Sequence, residues 1–195
     1  MSQRTATKRG LCLGGLLATL LAACAAPTKP ATAPAFDAVA LVTVIRAAGA
    51  AAPTELDVQP LRDPQVEDLR QQATQLEAKR MYRGAADLLD RAMQLNTEDP
   101  ALLQDRAELA ILLRDTAQAQ QLAKQAIALG STTGPLCRRH WETLLQTALL
   151  RANDRVIRRG ESEAQATARV GEAAAEVRNA RTARDACTVA APNRF

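Results

Sequence analysis

Small and apolar residues recur along the middle of the chain at positions that repeat. When the sequence is shifted by 34 positions, five of these residues fall on residues of the same type. The matching pairs are Leu69 with Leu103, Ala73 with Ala107, Ala85 with Ala119, Ala92 with Ala126, and Leu95 with Leu129. Repeats of this length stack on their neighbours, because one unit cannot bury its apolar face alone. The pattern therefore predicts two successive helical hairpins over residues 64–130.

The predicted hairpins carry their own start and stop signals. Aspartate precedes proline at residues 63–64 and 99–100, and glycine precedes proline at residues 134–135. A capping residue followed by a proline in the first turn is typical of a helix start. Asn96 and Gly130 end the second helices, and we expect both to adopt the left-handed conformation that often closes a helix.

This arrangement resembles the tetratricopeptide-repeat family, in which a unit of this length folds as two antiparallel helices. The resemblance covers residues 66–130, where small residues match the family at the positions of helix contact and large residues match it elsewhere. These positions are Ala73, Ala85, Ala92, Ala107, Ala119 and Ala126, with Leu69, Leu76, Tyr82, Leu89 and Leu95. Thr97 and Ser131 replace the family's usual proline, and Gln72 and Arg106 replace a frequent leucine. A plain antiparallel helical bundle is the alternative interpretation.

The following part of the chain predicts a longer helical hairpin over residues 131–188. Its first helix keeps one apolar face as far as Val156, and the arginines at 158–159 suit a helix carboxyl end. Gly160 then marks the turn, and the second helix runs to about Cys187. That helix carries a narrow stripe that allows close approach of a partner helix, formed by Ala166, Val170, Ala173, Val177 and Ala180.

Residues 37–63 precede the first hairpin and are predicted to cap it. The segment from Asp37 to Gly49 is ambiguous, because it is rich in β-branched residues while its two ends suit a helix start and a helix end. We interpret it as a short helix laid on the repeat array, with a strand as the alternative. Residues 56–61 predict a short extended segment over the first hairpin, and residues 189–195 form a tail. The whole pattern predicts an all-α array of antiparallel hairpins.

The amino terminus has the order of a secretory signal, in which basic residues precede a short apolar run. Three basic residues lie within residues 4–9, and the apolar run at 11–23 is too short for a permanent membrane anchor. The run leads into Leu21-Ala22-Ala23-Cys24, which resembles the lipobox of bacterial lipoproteins. The resemblance implies removal of residues 1–23 as a signal peptide and acylation of Cys24. An ordinary signal peptide cut after an alanine is the alternative.

Acylation would hold the protein on a membrane, because two or three acyl chains bind almost permanently whereas one binds marginally. Ala25 rather than aspartate follows the cysteine, which by resemblance to enterobacterial lipoproteins favours the outer membrane, with the protein facing the periplasm. Residues 24–36 contain Pro27, Pro30 and Pro34 and predict an extended spacer between the lipid and the domain.

Processing changes the charge balance of the chain. The full chain has 25 basic and 21 acidic residues, and the removed segment contains three basic residues and no acidic one, which leaves 22 − 21 = +1. The chain has 2 Phe, 1 Tyr and 1 Trp, too few for a platform on which bases could stack. We therefore expect no nucleic-acid partner.

Only two cysteines remain available after processing, because Cys12 is removed and Cys24 is acylated. The remaining pair, Cys137 and Cys187, would lie in an oxidising compartment. With the turn at Gly160, the two arms are 160 − 137 = 23 and 187 − 160 = 27 residues long, so the two thiols meet at one end of the hairpin. We therefore predict a Cys137–Cys187 disulfide, with two unbonded buried cysteines as the alternative.

The sequence offers no candidate for catalysis. It contains one histidine, His140, and we find no zinc-ligand spacing, phosphate-binding glycine loop or nucleophile elbow. We therefore expect no enzymatic activity, no cofactor, no metal and no small-molecule substrate.

The family resemblance implies a concave groove, lined by the first helix of each hairpin, that accepts a peptide or a helix. The matching positions are Glu67, Arg70, Thr74, Glu77, Gln104, Glu108, Ile111, Arg138 and Glu142. Their mixed charge favours a polar, salt-sensitive contact. We expect a lipid-anchored adaptor that binds an unidentified envelope protein or peptide in outer-membrane or secretion-machinery assembly. The alternatives are a structural spacer or self-associating stalk, and a regulatory subunit of an envelope enzyme.

Overall fold

The computed structural model describes residues 36–50 and 63–188, and within these ranges the chain is all-helical. The helices are α1 (Ala38–Ala48), α2 (Pro64–Ala78), α3 (Tyr82–Leu95), α4 (Pro100–Leu112), α5 (Thr116–Leu129), α6 (Pro135–Asn153) and α7 (Glu163–Ala186). Three antiparallel hairpins, α2–α3, α4–α5 and α6–α7, stack in chain order, which confirms the predicted fold class. The predicted signal peptide, Cys24, the spacer up to residue 35, the 56–61 segment and the tail at 189–195 lie outside the described residues.

The helix starts predicted from Asp-Pro pairs are confirmed. The Asp63 carboxylate accepts hydrogen bonds from the backbone N–H groups of Gln65 and Val66, at 2.8 and 3.3 Å. Asp99 does the same for the two corresponding N–H groups of α4, again at 2.8 and 3.3 Å. In both helices the proline occupies the first turn, where its missing N–H costs nothing because that group has no helical partner.

Helices α2 and α4, the first helices of the two repeats, end in the same way. Their ends lie at residues that the sequence pattern did not single out. Arg80 and Arg114 stand 34 positions apart and both adopt left-handed backbone conformations, with φ of 59° and 65°. The residue after each arginine, Met81 or Asp115, donates its N–H to the carbonyl five residues earlier. The N···O distances are 2.9 Å for Met81 and 2.8 Å for Asp115. These are the hydrogen bonds of a Schellman helix end, so the repeat extends to its turns.

The conformation predicted for Asn96 and Gly130 is wrong. Both residues end a helix, but their φ values are −139° and −88°, and the chain leaves each helix in an extended conformation. An extended exit carries the chain directly to the start of the next helix across connections of four and five residues, so no left-handed reversal is needed there.

Alanines form much of the contact between helices. Ala85, Ala92, Ala119 and Ala126 are fully buried at matching positions of α3 and α5. Side chains this small allow close approach of neighbouring helices, so the core is closely packed rather than bulky. Leu95 and Leu129, which also match in the repeat, are half exposed and lie outside the core.

The segment that the sequence left between helix and strand is a helix. The Asp37 carboxylate accepts the Ala40 N–H at 3.0 Å, and the Gly49 N–H bonds back to the last turn of α1. Val42 and Ile45 are buried in the core shared with α2, α3 and α4. Since α1 contacts α4 and α6, it lies across the first helices of the hairpins.

The carboxyl-terminal hairpin has a shorter first arm than predicted. Helix α6 ends at Asn153 rather than near Arg158, and Val156, expected on its apolar face, is exposed in the connecting segment. The physical reason is that the Arg169 side chain of α7 donates hydrogen bonds to the backbone carbonyls of Asp154 and Val156, at 3.1 and 2.9 Å. This segment therefore runs back along the first turns of α7.

The structure joins Cys137 to Cys187, with their Cα atoms 5.8 Å apart. The two arms are unequal, because 16 residue steps separate Cys137 from Asn153 and 24 separate Glu163 from Cys187. At about 1.5 Å per residue the difference is about 12 Å. The returning segment 154–162 spans that difference, so the two sulfur atoms still meet at the start of α6.

Candidate partner-binding groove

The first helices α2, α4 and α6 form the predicted groove, and α1 of the same chain occupies it. Arg46 of α1 pairs with Glu77 of α2 at 2.8 Å and with Glu108 of α4 at 2.7 Å. Arg138 of α6 donates to the carbonyl oxygens of Ala48 and Ala50, each at 2.9 Å. One short helix thus contacts all three groove helices through charged or polar groups.

The structure divides the nine predicted contact residues into three groups. Glu77 and Arg138 bind α1 directly, while Glu67, Arg70 and Thr74 remain partly or fully exposed on α2. Gln104, Glu108, Ile111 and Glu142 are buried, so the expectation of an open surface is wrong for these four. The reason is tertiary, because α1 and α6 cover α4 and α7 covers one side of α6.

Glu142 needs a separate correction, because it does not face the groove. Its carboxylate accepts a hydrogen bond from Arg184 of α7 at 2.6 Å and one from Gln146 of its own helix, also at 2.6 Å. It therefore belongs to the contact between α6 and α7, and it is not a candidate for binding a partner in the groove.

Glu108 is the centre of the polar network beneath α1. Its side chain is fully buried, and it accepts hydrogen bonds from Arg46 at 2.7 Å, from Arg139 at 3.0 Å and from the Gln104 amide at 2.8 Å. Burial opposes the positive charge of Arg46, but its hydrogen bond to Glu77 and its attraction to Glu108 outweigh this and raise its pKa above the ordinary value. A buried carboxylate with this many charged donors is fully compensated.

His140 lies next to this network and is almost completely buried. Its Nδ1 is 2.8 Å from the Gln104 oxygen, and the Gln104 amide nitrogen already donates to Glu108 and Thr143. The Gln104 oxygen must therefore accept, so Nδ1 carries the imidazole proton and Nε2 is a bare acceptor. Among the described residues Nε2 has no hydrogen-bond partner. Burial, helped by the positive charge of Arg139, lowers the pKa of His140 to about 4.

A cavity of about 350 Å³ opens beside the carboxyl end of α1. Its charged lining consists of Arg46, Arg70, Glu77, Asp105 and Arg139, and its floor is apolar. The charged groups are paired with each other, as in the 3.0 Å hydrogen bond from Arg70 to Asp105. The cavity therefore extends the groove beyond the end of α1 with three arginines and two carboxylates that already form ion pairs with each other.

The composition of α1 is the sequence signal that points to this network. Arg46 is the one charged residue between Asp37 and Gly49. A single cation in an otherwise apolar helix indicates a buried or half-buried anion opposite it, because such a helix has little other reason to carry a charge. The acidic partner, Glu108, stands 62 residues later, and no local pattern identifies it.

The stripe on α7 that a self-associating stalk would need is covered within the chain. Ala166, Ala173 and Ala180 are buried against the rest of the domain, chiefly α6. Ion pairs flank the same contact, including Arg184–Glu142 at 2.6 Å and one between Arg151 and Glu176. This stripe is therefore an intramolecular packing surface.

Comparison with known proteins adds no family to these observations. No protein-family model matches the chain, and no curated protein matches its sequence. In the part of the chain that the structure describes, we find no group of three or more His, Cys, Asp or Glu side chains placed to hold a metal ion. No helix in these same residue ranges is both long and apolar enough to cross a bilayer.

Proposed function

We propose that the protein is a lipid-anchored adaptor of the bacterial cell envelope that binds a helical segment of a partner protein in the groove occupied by α1. Acylation at Cys24 holds it on the outer membrane with the domain facing the periplasm. The observation that carries this proposal is that the first helices of the hairpins already hold a short helix from outside the hairpin array. The groove has the shape and the charge for such a ligand.

The contacts of α1 define the chemistry of the partner segment. Two aliphatic side chains three residues apart, Val42 and Ile45, enter the core, and the next residue, Arg46, meets Glu77 and Glu108. A competing helix therefore needs two large aliphatic residues at positions i and i+3 and an arginine or lysine at i+4. The salt-sensitive part of the contact is this cation.

The energetics of α1 allow it to be exchanged. Burial of one valine and one isoleucine contributes about 3–6 kcal/mol in total. Ordering the eleven residues of α1 opposes this gain, because each ordered residue loses conformational entropy. The two terms oppose each other, so the free energy that holds α1 in place is smaller than the burial term alone. A partner that makes the same contacts and a few more in the adjoining cavity replaces α1.

Exchange is tested with a protein whose own α1 cannot dock. We expect the Val42→Asp, Ile45→Asp variant to bind a fluorescent peptide of residues 36–50 in an anisotropy titration, and the wild-type protein to bind it at least tenfold more weakly. The same peptide carrying Arg46→Glu binds the variant more weakly, because it places a carboxylate opposite Glu77 and Glu108.

A matched control comes from the opposite face of the same helix. Val39 and Val44 are 52% and 46% exposed, so Val39→Asp with Val44→Asp adds the same charges without expelling α1. This control should behave like the wild type. We call the Val42→Asp, Ile45→Asp protein the expelled-helix variant. If this variant keeps its helical circular dichroism yet binds no peptide, the result contradicts the proposed groove.

The anchor and the partner are tested in cells. Metabolic labelling with an alkyne palmitate analogue should mark the wild-type protein and leave Cys24→Ser unlabelled, and equal labelling of the two contradicts the anchor. Crosslinking followed by affinity capture should recover an envelope protein with the expelled-helix variant in larger amount than with wild type. Recovery of this chain alone would favour the self-associating stalk.

A further inference from the structure

One end of the domain collects the turns that follow the first helices. Successive helices alternate in direction, so the turns at 79–81 and 113–115 and the connection 154–162 lie at the same end, which we call the basic end. The chain also enters α1 there, because Phe36 lies under the guanidinium of Arg114, 5.0 Å from its ring centre. The other end of α1 meets the start of α6 through Arg138.

The connection 154–162 exposes two large aliphatic side chains at the basic end. Val156 is 70% exposed and Ile157 is 53% exposed. Arginines precede and follow them in the sequence Arg155-Val156-Ile157-Arg158-Arg159, and all five residues are exposed. Aliphatic side chains gain nothing from water, so a pair held outside the core and framed by cations indicates a surface contact.

The fold holds this tip in place. Arg169 of α7 donates to the carbonyl oxygens of Asp154 and Val156 at 3.1 and 2.9 Å, and its Nε donates to the Glu161 carboxylate at 2.9 Å. One side chain thus binds both ends of the segment. The connection is therefore a fixed projection, and these contacts hold the two aliphatic residues outside the core.

Two of the carboxylates near the tip are already engaged, while Glu163 is exposed in the first turn of α7. Asp154 pairs with Arg158 at 3.2 Å, and Glu161 pairs with Arg169. Arg155 and Arg159 form no ion pair with any residue that the structure describes. Over residues 154–163 with Arg169, four arginines face three carboxylates, a net charge of 4 − 3 = +1. The tip is therefore cationic as well as apolar.

Another turn of the basic end repeats this chemistry on a smaller scale. Met81 is 55% exposed and follows the exposed residues Lys79 and Arg80. The acids Asp37 and Asp115 at this end accept hydrogen bonds from backbone N–H groups as helix caps. Separate apolar tips on different turns of one end, each beside basic residues, fit a broad flat surface better than they fit a single protein pocket.

We propose that the basic end rests on the anionic surface of the membrane, with Val156 and Ile157 entering the interface and Arg155 and Arg159 facing lipid phosphates. The orientation rests on the proposed function, because the acylated Cys24 stands 36 − 24 = 12 residues before Phe36. Aliphatic side chains at the headgroup level and arginines near phosphates are the two terms that hold proteins on such surfaces. The groove then faces sideways, between the membrane and the periplasm.

The contact is tested with full-length acylated protein carrying one environment-sensitive label. Cys137 and Cys187 are bonded to each other and Cys24 is acylated, so Ile157→Cys provides a unique thiol for a nitrobenzoxadiazole dye. In phosphatidylglycerol vesicles we expect blue-shifted emission of the dye at least twofold stronger than in phosphatidylcholine vesicles. This increase should be lost in 0.5 M NaCl, because salt screens the charges of the arginines. A label at Ser131→Cys, exposed at the opposite end, should not respond.

The outcomes separate this inference from the proposed anchor. If the full-length protein fails to float with phosphatidylcholine vesicles, the anchor is contradicted, while Ile157→Cys labelled in a Cys24→Ser background still reports contact with excess phosphatidylglycerol vesicles. Emission from Ile157→Cys that stays at the aqueous value in both lipids overturns the membrane contact, whether or not the protein floats. Arg155→Glu with Arg159→Glu should reduce the phosphatidylglycerol response at least fivefold, and an unchanged response also overturns it.

Discussion

Acid should destabilise this protein in a defined pH window through His140. In the folded state the imidazole is buried, its Nδ1 proton is bound by Gln104, and a second proton on Nε2 would have no acceptor among the described residues. Burial and the nearby positive charge of Arg139 lower the pKa of His140 from 6.5 to about 4. The unfolded chain keeps the ordinary pKa of about 6.5.

The sign and size of the effect follow from these two values. Above pH 6.5 neither state holds the extra proton, so His140 contributes its full stabilising effect. Between pH 6.5 and about 4 only the unfolded chain binds the proton, so the free energy of unfolding falls as the pH falls. The difference of 6.5 − 4 = 2.5 pKa units corresponds to about 3 kcal/mol lost by pH 4.

The assay is urea unfolding of wild type and His140→Asn, followed by circular dichroism from pH 8 to pH 4. Asparagine keeps a donor near the Gln104 oxygen and does not titrate. The variant therefore loses packing energy at every pH, but it lacks the acid-dependent fall in the free energy of unfolding that His140 causes in the wild type. Carboxylates titrate equally in both proteins, so the difference between the two curves isolates the histidine. Parallel curves over the whole range would refute the reasoning.

Two further predictions concern the contacts at the start of α6. Replacing both Cys137 and Cys187 by serine should lower the free energy of unfolding by about 4 kcal/mol, because the bond closes a loop with a sequence separation of 50 residues. A urea midpoint of the wild-type protein that does not change with dithiothreitol would contradict this prediction. Gly49→Ala should cost about 1–3 kcal/mol in a thermal melt, because the new Cβ would lie 2.3 Å from Cγ of Arg139. Gly171→Ala on α7, with no atom within 4 Å, is the control and should stabilise.

Local signals in the sequence account for the secondary structure of this protein. Aspartate-proline pairs at 63–64 and 99–100 start helices where predicted, because a cap acts within one turn of its own residue. The repeated alanines lie in helix contacts for a similar reason, since the spacing of small residues selects the face of a helix. Cys137 and Cys187 are joined as expected, although the turn that aligns them is longer than the sequence indicated.

Tertiary contacts, in turn, determine which of these surfaces meets water. Gln104 and Glu108 were placed correctly on a first helix, but α1 and α6 bury them, and the Arg46 that compensates Glu108 lies 62 residues away. Helix α6 stops at Asn153 because Arg169, sixteen residues later, binds the following backbone carbonyls. Periodicity and caps report interactions within a few residues of the chain. The burial of a surface, the compensation of a buried charge and the occupation of a groove depend instead on segments that meet only after the chain has folded.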